Sequence, residues 1–210
     1  MPFAGAWSHQ YRRIIQRFSS IITAQFFGHS HWDEFSILYN TTNNITEPIS
    51  LAYITPSLTP HDGLNPAYRV YYTDSDTINS THLVLDHSTY SLDLELANKS
   101  PSNTSLSFTL EYSARSFLGM QNLSPESWSE FVGTLVREKE AWDTFYRRYS
   151  RGGPHAEKKC NKTCKQDILC RLVTFDREDT RECSRIKEEM DRIEMEQEEK
   201  GEEWSLWNVL

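Results

Sequence analysis

The feature that most constrains the fold is a change of period at Ser124-Pro125-Glu126. Upstream of it, apolar residues come in short runs at 24–27, 35–39, 49–54, 68–73, 82–86 and 90–96, separated by Asn, Asp, Pro and Gly, which predicts strands joined by turns. Leu106, Phe108, Leu110 and Tyr112 alternate with polar residues as one more strand. Downstream, Trp128, Phe131, Val132, Leu135, Trp142, Phe145 and Tyr149 recur at helical spacing. A serine N-cap and a first-turn proline open that helix, and Gly152-Gly153-Pro154 closes it. A further helix is predicted over 11–22, with Ile14, Ile15, Phe18 and Ile22 on one side. The chain therefore reads as α+β, strands first and helices second. Its aromatic stripe reads as core packing.

With 210 residues and 38 % hydrophobic composition, the chain can bury a core as one domain, or as a half-domain with an appendage. The formal charge of −8 argues against a nucleic-acid partner, which demands a basic patch. Much of that charge is local: residues 184–210 hold four Lys/Arg against nine Asp/Glu. Within this tail Met190, Ile193 and Gln197 are spaced for one thin apolar edge of a solvated helix, and Trp204, Leu206, Trp207, Val209 and Leu210 close it with an apolar knot.

The asparagines signal the compartment. Asn40, Asn44, Asn79, Asn98, Asn103, Asn122 and Asn161 each begin an N-x-[ST] triplet, seven of the ten asparagines present. Ser and Thr fill 40 of 210 positions, so chance would place only about two of ten there. The excess predicts a glycoprotein, extracellular or lysosomal. No apolar signal segment follows Met1, so its address is expected upstream of these residues. The apolar runs are too short to span a bilayer. Cys160, Cys164, Cys170 and Cys183, in such a chain, point to disulfides, with three connectivities open, more than to a structural zinc quartet.

The chemistry sits in Gln25-Phe26-Phe27-Gly28-His29-Ser30-His31-Trp32-Asp33-Glu34-Phe35. An apolar run ends at a glycine and offers two imidazoles one residue apart. In extended backbone, positions i and i+2 face one side, so His29 and His31 are expected to face one cavity and to serve one metal ion or two neighbouring ones. By itself an H-x-H pair is also common by coincidence.

This stretch resembles the last metal motif of the calcineurin-like metallophosphoesterases, and most of all their acid sphingomyelinase branch. The similarity continues through Pro56-Ser57, Thr59, Gly63-Leu64-Asn65-Pro66, Tyr68-Arg69-Val70-Tyr71, Leu83-Val84-Leu85-Asp86-His87 and Tyr90, and through the C-x3-C-x5-C-x12-C spacing of the cysteines. The resemblance implies that His29 and His31 each bind one of two zinc ions and that the disulfides are Cys160–Cys164 and Cys170–Cys183. It implies the C-terminal portion of a four-layer α/β/β/α metallophosphoesterase fold followed by a disulfide-stapled helical subdomain. The expected division is 1–35 for the last part of the catalytic domain, 36–120 for a β-rich region, 121–183 for the helical subdomain and 184–210 for an acidic tail.

A zinc hydrolase needs about three protein ligands per ion. The family's other ligand motifs, Asp-x-His, Gly-Asp and Gly-Asn-His-Glu, are absent from these residues, and with them any assignable catalytic acid. The chain is thus expected to be the C-terminal part of a longer enzyme that hydrolyses sphingomyelin or another phosphodiester, touches membrane only as part of that enzyme, and is inactive alone. The rival expectation is a non-catalytic secreted glycoprotein on the same scaffold, binding lipid or a partner protein. Candidate substrate-binding residues are His61, Asn65 and Tyr68. At the position of His61 the family often shows tyrosine, a ring suited to a choline cation. Arg69 is expected to pair with a carboxylate inside the fold.

Overall fold

The computed structural model describes residues 5–42, 45–74, 77–100, 107–176 and 178–207. Asn44, Asn103 and Leu106, and the side chains of Trp204, Leu206, Trp207, Val209 and Leu210, lie outside the described residues. The architecture is mixed α+β, with helices at the C-terminal end.

Helix α1 (Gly5–Arg17) leads into strand β1 (Gln25–Phe27), which pairs in parallel with β3 (Ile45–Ile54), and β3 pairs antiparallel with β2 (Glu34–Thr42). This first sheet, in the order β1-β3-β2, is covered on both faces. Phe35, Ile37, Tyr39, Leu51 and Tyr53 enter the main core, while Leu38 and Ala52 meet Ile15 of α1 and Phe175 in a second cluster. Two-sided burial is why β3 ends in an unbroken buried run, residues 50–54. The predicted helix over 11–22 begins earlier and stops at Arg17. Ile15 is buried, whereas Ile14 and Phe18 are exposed, and the chain turns after Phe18 to enter β1.

The second sheet is the antiparallel meander β4 (Ala67–Thr73), β5 (Val84–Ser91) and β6 (Thr109–Ser113). The two strands expected at 82–86 and 90–96 are one strand followed by a short helix, α2 (Leu94–Lys99). Ser-Leu-Asp-Leu-Glu-Leu alternates like a strand, yet the Asp93 carboxylate accepts the Leu96 N–H at 2.9 Å and caps a helix instead. Arg69, Tyr71, His87 and Tyr112 face the interior, and Tyr68, Val70, Tyr72 and Leu110 are exposed on the other face.

After the short α3 (Ala114–Leu118), the long helix predicted from Ser124 is two helices, α4 (Pro125–Arg137) and α5 (Lys139–Tyr149), with Glu138 extended between them at φ −110°, ψ 117°. Neither Pro nor Gly marks the break. It lets Trp128, Val132 and Leu135 from α4 and Trp142, Phe145 and Tyr149 from α5 enter one core from two directions. The predicted cap is present: Ser124 Oγ accepts the Ser127 N–H.

Helix α6 (Lys162–Val173) packs on α7 (Arg181–Trp207), whose buried edge is Ile186 and Met190 with Ile193 beside it. The disulfides are Cys160–Cys164, at the capped start of α6, and Cys170–Cys183, from α6 to α7. Among the described residues no helix is long and apolar enough to cross a membrane.

Candidate functional site

Strand β1 ends at Phe27, and the two histidines occupy the turn beyond it. His29 has φ 91° and His31 φ 68°, so this backbone is left-handed at both positions and not extended. The expectation that strand geometry sets the two rings on one side therefore fails, because the period-two rule holds only in extended backbone. Left-handed backbone at two non-glycine residues costs on the order of 1 kcal/mol or more each, and persists only where surrounding contacts enforce it. His29 is exposed, whereas His31 is partly buried and its Nδ1 is shielded from solvent without a hydrogen-bond partner among the described residues.

The enforcing contacts begin one residue later. Trp32 stacks on Tyr149, with ring centroids 4.7 Å apart, and meets His155 edge-on at 4.6 Å. Asp33 is buried and donates its backbone N–H to the Tyr149 carbonyl at 3.2 Å. Its carboxylate accepts from the Arg69 guanidinium and, at 2.9 Å, from the Tyr112 hydroxyl. Arg69 also donates to Tyr112 Oη at 2.9 Å and to Thr89 Oγ1 at 3.0 Å. Burial alone would lower the Arg69 pKa, but the Asp33 carboxylate more than offsets it and drives the group up. Burial likewise raises the Tyr112 phenol, so it stays a proton donor to Asp33. Glu34 accepts the Tyr149 hydroxyl at 2.7 Å, and Arg171 donates to the same hydroxyl at 2.6 Å. The second sheet and the helical region thus hold the histidine turn from two sides.

The loop after β3 brings in the next candidate. His61–Gly63 is a single 3-10 turn with Asp62 at φ 56° and Gly63 at φ 73°. It sets the His61 ring edge-on to His31, with centroids 5.7 Å apart. Arg151, fully buried past the end of α5, donates to the Ser57 and Thr59 carbonyls and pins this loop from below. Burial pushes the Arg151 guanidinium down to about 10, still charged at neutral pH. A Cβ on Gly153 would come within 2.3 Å of the Gly63 carbonyl oxygen, so the two backbones touch only because residue 153 is glycine. His155 Nδ1 lies 4.0 Å from Asp62 Oδ2, and burial, then Lys158, holds its imidazole down.

Of the remaining candidates, Asn65 is buried and its carboxamide oxygen accepts the Leu94 N–H at 3.2 Å, tying the loop to α2. Tyr68 stacks on Tyr90 at 5.1 Å on the exposed face of the second sheet, opposite to Arg69, and is not brought to the histidines. Asn79, Asn98, Asn122 and Asn161 are exposed and Asn40 is partly so. The Asn161 side-chain oxygen also caps α6, and that of Asn122 accepts the N–H of Ser124 just ahead of α4. A broad groove of about 970 Å³ between residues 117–122 and the faces of α4 and α5, rimmed by Glu126, Glu130 and Glu138, contains none of the histidines.

Among the described residues no three of His, Cys, Asp and Glu gather to hold a metal ion. The histidine turn is compatible with a metal in one respect: the Nδ1 of His31 is buried without a hydrogen-bond partner, and an unprotonated imidazole nitrogen carries a lone pair able to bind a cation. No site role is legible in the sequence for Arg151, Gly153, Tyr112 or His155: Tyr112 reads as a strand residue and Gly152-Gly153-Pro154 as a helix stop.

Comparison with known proteins gives a consistent picture. A family model described as the acid sphingomyelin phosphodiesterase C-terminal region matches residues 47–190. Sphingomyelin phosphodiesterase of Bos taurus is 38 % identical over 165 residues, 79 % of this chain and 26 % of that protein. Sphingomyelin phosphodiesterase 1 of Caenorhabditis elegans is 40 % identical over 169 residues, 79 % of this chain and 28 % of its own length. A cyclic GMP-AMP phosphodiesterase of Rattus norvegicus is 29 % identical over 171 residues, 78 % of this chain and 36 % of that protein. The chain spans about a quarter of the length of the sphingomyelin phosphodiesterases it matches.

Proposed function

The chain belongs to the acid sphingomyelinase family, in its C-terminal region, and from that premise we propose that it forms part of a zinc-dependent phosphodiesterase that hydrolyses sphingomyelin to ceramide and phosphocholine. The observation that carries this reading is the held histidine turn, with the buried, unpartnered Nδ1 of His31. In this reading His29 and His31 hold the ions from one side, and Asp33, Arg69 and Tyr112 keep the turn in its left-handed form. When bound, two zinc ions supply a water of lowered pKa and neutralise charge on the phosphoryl group. The same reading takes His61 as a contact for the substrate headgroup. The first sheet is then the edge of the four-layer metallophosphoesterase sheet. Support for this comes from β1, a parallel strand of three residues at the end of its sheet, with Phe26 half exposed. Each ion needs about three protein ligands, so the 210 residues alone are inactive in this reading. The sequon excess supports a secreted or lysosomal glycoprotein.

The test joins this chain to the N-terminal three-quarters of the bovine relative and measures phosphocholine released from sphingomyelin vesicles. Release that disappears in His31→Ala and His29→Ala, with the fold retained, is the expected result. A folded, zinc-loaded chimera that releases phosphocholine equally well without either histidine overturns the reading. One that cleaves cyclic dinucleotides in place of sphingomyelin overturns the substrate.

A further inference from the structure

We propose that His61 is a metal ligand, sharing one divalent cation with His31; this rests on the reading of His31 as a ligand. Two imidazoles on one tetrahedral zinc, each with a zinc–nitrogen bond of about 2.0–2.1 Å, place their ring centroids about 5 Å apart. The rings of His31 and His61 stand 5.7 Å apart, within a small side-chain rotation of that spacing. Their interplanar angle of 79° is compatible, since a ring turns freely about its metal–nitrogen bond. The contact is not core packing, because His61 is exposed.

Three observations make the pair more than a surface coincidence. The Nδ1 of His31 is buried and has no hydrogen-bond partner, a costly state that an ion would relieve. Both rings sit on backbone held in place: the His31 turn by Asp33 and Trp32, the His61 turn by Arg151 and by the Gly63–Gly153 contact. Pre-positioned ligands lose little entropy on binding. The neighbouring carboxylate, Asp62, lies toward His155, and among the described residues the His61 ring has no ion-pair partner. Tyrosine, often found at this position in the resembled enzymes, would not supply a neutral nitrogen ligand, so the site would be particular to chains with histidine here.

The experiment titrates zinc chloride into the full chain near neutral pH, with affinity from a competing chelator and imidazole nitrogens followed by long-range 1H–15N spectra. The signals of His31 and His61 are expected to shift together with one equivalent. His61→Ala and His61→Tyr are both expected to weaken binding by about tenfold or more. Loss of binding in His31→Ala with no change in either His61 variant overturns the shared site and leaves the His31 reading standing. No zinc uptake by the parent chain, with every imidazole signal unmoved, overturns the shared site, whereas loss of the His31 reading is seen separately, in the chimera that keeps its activity without that histidine. Circular dichroism of each variant confirms that the exposed turn was changed without loss of fold.

Discussion

Two buried arginines hold the two histidine-bearing loops, and they do so in opposite electrostatic surroundings. Arg69, beneath the His31 turn, meets the Asp33 carboxylate, and its pKa is driven up. Arg151, beneath the His61 turn, donates to the carbonyl oxygens of Ser57 and Thr59, and burial pushes it down to about 10. In the first case two charges depend on each other, and removing one strands the other. In the second, neutral carbonyls solvate the charge, and a glycine-only backbone contact sets the distance. A loop can therefore be anchored by charge pairing or by shape, and the two fail differently when mutated.

The largest effect is expected at the charge pair. Arg69→Met leaves Asp33 buried without its cation and should lower stability by about 3–5 kcal/mol in urea unfolding, while the double change Arg69→Met with Asp33→Leu recovers most of the loss. A single variant as stable as the parent would break the contrast between the two anchors.

The same charge acts on His87, which is fully buried among Tyr53, Tyr71, Tyr112 and Trp128 with neither ring nitrogen hydrogen-bonded. Burial first, and Arg69 second, hold its pKa down to about 2. The depressed folded value fixes the sign. The unfolded chain takes up a proton near 6.5 that the folded chain refuses, so stability is full above 6.5 and drains as pH falls toward 2. The expected slope is about 1.4 kcal/mol per pH unit from this residue, and His87→Phe should flatten it. Melting curves between pH 7 and pH 4.5 that are parallel for parent and variant would show that His87 titrates normally.

At the shape anchor, Gly153→Ala drives a Cβ into the Gly63 carbonyl oxygen and should cost about 1–3 kcal/mol while separating His61 from His31. Its diagnostic is a lost contact between the two imidazoles in nuclear Overhauser spectra, which Arg69→Met should disturb on the His31 side alone. The smallest effect belongs to a site distant from both anchors. Ser124→Ala removes the α4 cap and should cost about 1 kcal/mol without altering either imidazole signal.

Much of this was legible beforehand for identifiable reasons. The resemblance carried the disulfide pairs, because cysteine spacing survives in the chain as written. The N-cap at Ser124, the stop near Gly152 and the interior carboxylate for Arg69 follow from local chemistry and from the cost of burying a charge alone. The misreadings share a different cause. Asp93 turned a strand-like alternation into a helix through one capping bond, and the break at Glu138 answers to packing on both sides. The left-handed turn at His29 and His31 is held by Asp33, Arg69 and Tyr149, which lie up to 120 residues away.

The sequence by itself determined the class of elements, the family and the residue types able to bind metal, because period, spacing and donor chemistry are local properties. Tertiary structure alone decided which imidazoles meet. His31 faces His61 and not simply its neighbour in the motif, since a buried ion pair and a glycine contact, both between distant segments, set the two loops against each other.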